Sequence, residues 1–194
     1  MNDETKRHWN LKYEQGLPSL TKPDPFFVSA YETFVEETSP HPRKALDLAG
    51  GLGRHALWLA QRGWAVSVVD ISEVALQKLR DTSVTLQLDL KLHCGDVADY
   101  DLRREHFDLI VLFYHLDRRL FAPIIRGLKP GGLFFCKMRA RLEAGPVIPV
   151  PTDDTLLGRD ELESLLSGLV TLHHDLRPIG ERGVVEYVGR KATA

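Results

Sequence analysis

Cysteine is scarce in this chain: Cys94 and Cys136 are the only two in 194 residues, which excludes a disulfide scaffold. Each falls at what reads as the end of a strand, and both are expected to be core thiols in a reducing cytoplasmic setting. Charge of one sign is also lacking. A net charge of -2 excludes the broad positive field that draws nucleic acid or an anionic membrane surface, so any recognition by charge is local. No stretch approaches the roughly 18 uninterrupted apolar residues of a spanning helix, and the opening MNDETKRHWN has no apolar signal core. The expectation is a cytoplasmic protein with no membrane and no nucleic-acid partner. His8, His41, His55, His93, His106, His173 and His174 form no cluster at metal-ligand spacing, and no Ser-His-Asp arrangement can be drawn, so no metal is expected. Repeats and low-complexity segments are absent as well, and nothing in the sequence sets an oligomeric state.

What is present is enough apolar content, 43%, for one good core. Residues 1–42 are polar and interrupted by Pro18, Pro23, Pro25, Pro40 and Pro42. They read as a helical arm or lid holding two short helices. One carries Trp9 and Tyr13 on one face; the other runs over about 26–37, with Phe27, Ala30, Tyr31 and Phe34 at helical spacing. The second set reads as core packing, whereas Trp9 and Tyr13 are placed to cover a ligand.

From residue 43 to 194 the pattern is that of one globular domain. Apolar strands are expected near 44–48, 65–69, 90–94, 108–113 and 132–138, alternating with helices near 53–62, 72–80 and 117–127. That alternation implies a parallel sheet covered on both faces. Ser72 is placed to cap the second of these helices and Gly63 to stop the first. After Met138 the rhythm changes: a loop rich in proline leads to a helix at 159–168 with a Leu162, Leu165, Leu166, Leu169 stripe. Strands at 170–176 and 184–190 follow without an intervening helix and should pair antiparallel.

Lys44 to Asp70, KALDLAGGLGRHALWLAQRGWAVSVVD, reads as strand, glycine turn, helix and strand, the arrangement that holds a nucleotide-like ligand. Gly51-Leu52-Gly53-Arg54-His55-Ala56 formally satisfies the dinucleotide fingerprint, and Asp70 stands where a ribose-binding acid belongs, so a nicotinamide oxidoreductase is one reading. Three features turn away from it. Asp47 is a carboxylate inside the strand before the glycines, suited to a cationic amine. Asp96 in CGDVAD places another acid on the same rim of the sheet. LKPGG introduces the fifth strand, and the chain closes with an antiparallel pair.

With LDLAGGLGR, SVVDIS, CGDVAD, FDLIVLFYHL and LKPGGLFF in this order, the chain resembles the class I S-adenosylmethionine-dependent methyltransferases over about residues 44–190. WNLKY, ALWLAQRGWAVSVVDIS and HLDRRLF further resemble the small bacterial tellurite-resistance and thiopurine-type group. The resemblance implies an α/β Rossmann-like fold: a mostly parallel seven-stranded sheet with an antiparallel C-terminal strand and helices on both faces. It also implies S-adenosylmethionine as cofactor. Asp47 would then place the amine end through the turn Ala49, Gly51 and Gly53, Asp70 would take the ribose hydroxyls, Asp96 the adenine amino group and Val97 a ring nitrogen, with Ile71 against the adenine face. Ala49 departs from the glycine usual there. Each acid also has a local alternative: Asp47 as a cap of the turn, Asp70 in the cap region of the next helix, Asp96 in an Asx-turn.

The acceptor side is less encoded. Methyl transfer from a sulfonium needs in-line placement and exclusion of water more than a dedicated base. Tyr114 and His115 are the catalytic candidates, with Asp117 beside them. His115 could act as a base near neutral pH, or be a ring satisfied by a carbonyl. The absence of an Asn/Asp-Pro-Pro-aromatic sequence here argues against the resembling enzymes that methylate DNA bases or glutamine. Lys137, Arg139 and Arg141 alternate along the fifth strand, and Arg118 and Arg119 follow the fourth; they are either solvated or recognise an anionic acceptor. The leading expectation is a small-molecule methyltransferase acting on a thiol, chalcogen oxyanion, oxygen or nitrogen. A non-catalytic, regulatory S-adenosylmethionine-binding protein is the alternative.

Overall fold

Period-two apolar strands separated by amphipathic helices have one stable solution, a sheet with helices on both faces, and the computed structural model adopts it. It describes residues 2–16, 22–35, 43–142, 156–158, 161–179 and 182–193. In chain order these hold helices α1 (Asn2–Glu14) and α2 (Pro25–Phe34), β1 (Lys44–Leu48), α3 (Arg54–Ala60), β2 (Ala65–Asp70), α4 (Glu73–Thr85), β3 (Leu90–Cys94) and β4 (Phe107–Phe113). Then follow α5 (Phe121–Gly127), β5 (Leu128–Ala140), α6 (Glu161–Leu165), β6 (Leu169–Ile179) and β7 (Arg182–Lys191), with 3-10 turns at Val97–Asp99 and Arg118–Leu120.

The strands form one sheet in the order β3-β2-β1-β4-β5-β7-β6. β1 to β5 run parallel, and β7 enters between β5 and β6 antiparallel to both. The order reverses between β1 and β4, so the loops leaving their C-terminal ends diverge and open a crevice there. Alternate strand residues serve opposite cores. Leu46, Leu48, Phe134 and Cys136 pack with Phe121 and Ile124 of α5 and Leu162 of α6. Ala45, Leu109 and Phe135 pack with Phe27 of α2, Ala56 and Leu59 of α3, and Leu76 and Leu79 of α4.

Several expectations shift in detail. Cys94 is exposed at the end of β3 rather than buried; Cys136 is buried, but in mid-strand, because β5 starts at Leu128 and includes the Gly131-Gly132 pair. α4 continues to Thr85, five residues past its expected end, since no glycine or proline interrupts it. α2 ends at Phe34, and its expected last residues, 36–37, lie outside the described residues, as do most of the proline-rich loop after Met138 and the start of the 159–168 helix. Of the leucine stripe, Leu169 belongs to β6. His173 and His174 do diverge: His173 stacks on Phe26, and His174 meets Glu163 at 2.9 Å. Among the described residues no helix is long and apolar enough to cross a membrane.

Candidate functional site

The crevice at the strand-order reversal is a cavity of about 560 Å³, the size of a small-molecule or cofactor site. Its walls come from Thr5, Trp9 and Tyr13 of α1, Ala49 after β1, Asp70 and Ile71 at the end of β2, Asp96 and Val97 after β3, and Tyr114 to Arg119 after β4. Twelve residues singled out in the sequence therefore share one cavity: Trp9, Tyr13, Ala49, Asp70, Ile71, Asp96, Val97, Tyr114, His115, Asp117, Arg118 and Arg119. Thr5 and Leu116 also line it; neither has a spacing or chemistry that marks it in sequence. Ala49 and Tyr114 both have left-handed backbone, at φ 52° and 58°. Non-glycine residues adopt this region at a cost, and here two of them turn the chain at the cavity wall.

The glycine turn is a close-approach surface. A Cβ on Gly50 would collide with Val68 and crowd the Asp47 carboxyl, and one on Gly51 would strike the Tyr13 hydroxyl. Gly53, at φ 72°, caps α3 against Leu79 and lies away from the cavity. Gly51 N–H donates to Asp70 Oδ2 at 2.8 Å and Ser72 N–H to Asp70 Oδ1 at 2.8 Å. Asp70 thus ties the turn to the start of α4. Burial raises its pKa, and these N–H donors oppose the rise.

Asp47 lies beneath the turn, outside the cavity lining, and is buried. The Ala56 N–H reaches its carboxyl, but Oδ2 has no hydrogen-bond partner. Burial, the largest influence, pushes its pKa up to about 7 against the opposing pull of Arg54. A buried carboxyl oxygen left over beside a glycine turn fits a ligand carrying an ammonium group. Asp96 accepts Ala98 N–H at 2.9 Å, so its Asx-turn is also present, with the rest of the carboxyl open to the cavity. Tyr13, half-buried over Gly51, has its phenol pushed up to about 12 by burial and by nearby Asp70.

α1 is moored to the start of α4. Asn10 Oδ1 accepts from Ser72 Oγ at 2.7 Å, and Ser72 Oγ in turn accepts from Ala75 N–H at 3.1 Å as the N-cap of α4. Lys6 Nζ meets Glu73 at 3.1 Å, and Lys78 Nζ donates to the Tyr13 carbonyl at 2.6 Å.

On the other wall, the His115 Nε2 is buried without a partner. Burial lowers the ring's pKa, while Asp117, Asp96 and Asp70 pull it back up. Asp117 is occupied by Arg119, whose Nη2 lies at 2.6 Å, and Arg118 reaches Glu161 of α6 and the Leu156 carbonyl. The structure separates the other expected cations from this wall. Arg139 and Arg141 are exposed and do not line the cavity. Lys137 is held between Asp24, at 3.0 Å, and Glu186, at 2.9 Å. Asp24 and Glu186 carry no mark of this role in sequence, although an aspartate before Pro25 is a helix-start signal, and Asp24 does cap α2. Among the described residues no group of His, Cys, Asp and Glu could hold a metal ion.

The sheet is open, its order reverses over a glycine turn, acids stand at the end of β2 and after β3, and an antiparallel strand closes it. Residues 45–132 match a protein-family model described as a methyltransferase domain. Over that stretch the chain is similar to a methyltransferase domain. Among particular proteins, it is 33% identical over 127 residues to the ubiquinone/menaquinone biosynthesis C-methyltransferase UbiE of Acidiphilium cryptum, covering 60% of this chain and 51% of that protein. The chain spans about half the length of the curated relatives it matches. In fold it is similar to TehB of Haemophilus influenzae, with a TM-score of 0.74 at 18% identity over 94% of this chain and 67% of that one. It is also similar in fold to an S-adenosylmethionine-dependent methyltransferase of Methanosarcina mazei, with a TM-score of 0.71 at 15% identity over 89% of this chain and 100% of that one. The orphaned Asp47 oxygen and the crowded glycine turn fit a ligand with an ammonium group, as S-adenosylmethionine has.

Proposed function

We propose that the chain transfers a methyl group from S-adenosylmethionine to a small-molecule acceptor, a thiol, chalcogen oxyanion, oxygen or nitrogen nucleophile, bound against Tyr114 and His115. The observation that carries this reading is the pairing of two walls in one cavity: Asp70, Ile71, Asp96 and Val97 on one side, Tyr114 to Arg119 on the other, with Asp47 beneath the turn. Bound there, the cofactor supplies an electrophilic methyl on a sulfonium.

Asp70 accepts hydrogen bonds from the ribose hydroxyls and Asp96 from the adenine amino group, because ionised carboxylates only accept. The Val97 N–H meets an adenine ring nitrogen, Ile71 covers the base, and Asp47 neutralises the amine through the turn of Ala49, Gly51 and Gly53. Residues 1–42 serve as an arm or lid over the domain of 43–194, with Trp9 and Tyr13 excluding water from the cofactor side. Tyr114 orients the acceptor, and the unpartnered His115 Nε2 receives its proton where there is one to lose. If the acceptor is anionic, Arg118 and Arg119 at the cavity wall meet it, not Arg139 and Arg141.

Calorimetric titration with S-adenosylhomocysteine and with NADH tests the cofactor. The expected result is saturable binding of the first and none of the second; NADH binding without S-adenosylhomocysteine binding would overturn the proposal. Turnover over a panel of thiols, oxyanions and metabolites then identifies the acceptor, and cofactor binding with no turnover on any of them would favour a regulatory protein.

A further inference from the structure

The charges on the acceptor wall answer one another. Among the described residues lining the cavity, the cations are Arg118 and Arg119. Arg119 clasps Asp117, two positions back: its Nε stands 3.0 Å and 3.1 Å from the two carboxyl oxygens and its Nη2 2.6 Å from Oδ2, while the Arg119 N–H donates to Oδ1 at 2.9 Å. Arg118 grips both oxygens of Glu161 through Nε and Nη2, and Nη2 also donates to the Leu156 carbonyl at 3.2 Å. Glu161 is fixed in turn by the Gly158 N–H at 2.8 Å. The Arg119 hydrogen bonds hold the Asp117 carboxyl below the usual carboxylate range, and those of Arg118 do the same for Glu161, so both pairs stay ionised at neutral pH.

A two-pronged guanidinium–carboxylate contact is the strong form of an ion pair and leaves little net field around it. An anionic acceptor at this wall has to break one pair and then face the carboxylate it displaced. A cationic acceptor meets an Asp117 whose oxygens are already taken. The other lining acids, Asp70 and Asp96, add negative charge and further disfavour an anion. Lys137 offers no relief, since its ammonium is held by Asp24 and Glu186. On the same wall the His115 Nε2 is buried without a partner, Tyr114 is 46% exposed, and Leu116 adds apolar surface.

We propose that the acceptor is an uncharged molecule carrying its nucleophile as X–H, a neutral thiol or hydroxyl hydrogen-bonded to His115 Nε2, and that the Arg118–Glu161 and Arg119–Asp117 pairs close this wall to oxyanions. This rests on the reading that the acceptor binds against Tyr114 and His115, and it narrows the acceptor class left open there. In the transfer the methyl–sulfur bond breaks with its electron pair left on sulfur, the methyl–X bond forms, and the X–H proton passes to His115 Nε2. Burial keeps the ring neutral beforehand, and Asp117, Asp96 and Asp70 favour the imidazolium that results.

The test compares 2-mercaptoethanol with mercaptoacetate, which share a thiol and differ by one carboxylate, as acceptors for the full chain with S-adenosylmethionine. Calorimetry with tellurite and with inorganic phosphate, in the presence and absence of S-adenosylhomocysteine, reads anion binding directly. The expected kcat/KM is about tenfold or more higher for 2-mercaptoethanol, with no saturable binding of either oxyanion. Asp117→Asn, which keeps an oxygen for the Arg119 N–H, and Glu161→Gln each leave one arginine without its counter-ion. Each is expected to create saturable oxyanion binding and to narrow the preference between the thiols. Equal or reversed kcat/KM in the wild type overturns the proposal, as does wild-type oxyanion binding that Arg118→Gln or Arg119→Gln removes, or no gain of oxyanion binding in either variant. Where neither thiol is turned over, the gain of oxyanion binding decides. S-adenosylhomocysteine binding on the same proteins separates the two readings. Its binding together with oxyanion binding at the wild-type wall removes this inference alone; its absence, with oxyanion binding gained only in the variants, removes the methyltransferase reading and leaves the closed wall standing.

Discussion

Single atoms decide the cofactor wall. Asp70 both holds the glycine turn, through the Gly51 N–H, and lines the cavity. Asp70→Ala is expected to weaken S-adenosylhomocysteine binding by roughly 1 to 3 kcal/mol, measured by calorimetry; unchanged affinity would place the ribose elsewhere. Asp47 makes binding pH-dependent. With its buried carboxyl titrating near 7, it is largely neutral at pH 5 and ionised at pH 8, and only the ionised form pairs with an ammonium. The affinity for S-adenosylhomocysteine should therefore rise from pH 5 to pH 8, and Asp47→Asn should flatten that rise. The three strand-end acids were legible as a set because carboxylates after successive strands share one rim. What they touch was not: Asp96 spends one oxygen on a backbone N–H, from Ala98, whereas Asp70 accepts one on each oxygen, from Ser72 and from Gly51.

Between elements, the cap of α4 is the joint. Ser72 Oγ accepts from Ala75 N–H while donating to Asn10, so the helix start and the mooring of α1 share one hydroxyl. Ser72→Ala is expected to cost about 1 kcal/mol of stability and to release α1. Asn10→Ala should release α1 while leaving the cap in place. Hydrogen exchange over residues 2–14 distinguishes the two: both variants speed exchange there, but only Ser72→Ala speeds it in the first turn of α4. Ser72 as a cap could be read from sequence, because capping is local. Its second partner could not, because Asn10 lies in an arm whose docking depends on how the sheet is wound.

At the scale of the whole molecule, two buried groups push stability in opposite directions as pH changes. Burial holds the His55 ring neutral, with its pKa lowered to about 3 from 6.5, so the unfolded chain binds the extra proton between these values and stability is lost as pH falls below 6.5. Asp47 is protonated in the fold up to about pH 7 but only to about 3.8 when unfolded, so here the folded state binds the extra proton and stability falls as pH rises from 3.8 to 7. A cation paired with Asp47 offsets the second loss. Thermal melts should therefore show S-adenosylhomocysteine raising Tm more at pH 8 than at pH 5, and His55→Gln should weaken the loss of Tm between pH 6 and pH 4.

The sequence by itself determined the alternation of strands and helices, the glycine turn, the order of the three acids and the final antiparallel pair. Each rests on a periodicity or turn chemistry carried by a few neighbouring residues. Only the tertiary structure decided the company kept by the charges. Lys137 looked like one of three cations on a strand end until β7 inserted between β5 and β6 and set Glu186 opposite it in register. Asp24 reaches it across 113 positions. Cys94 lies exposed because the β3 edge is uncovered at its end, and Tyr13 lies over Gly51 because α1 docks on α4. Such pairings depend on strand order and on which faces meet, and the spacing of residues along the chain carries neither.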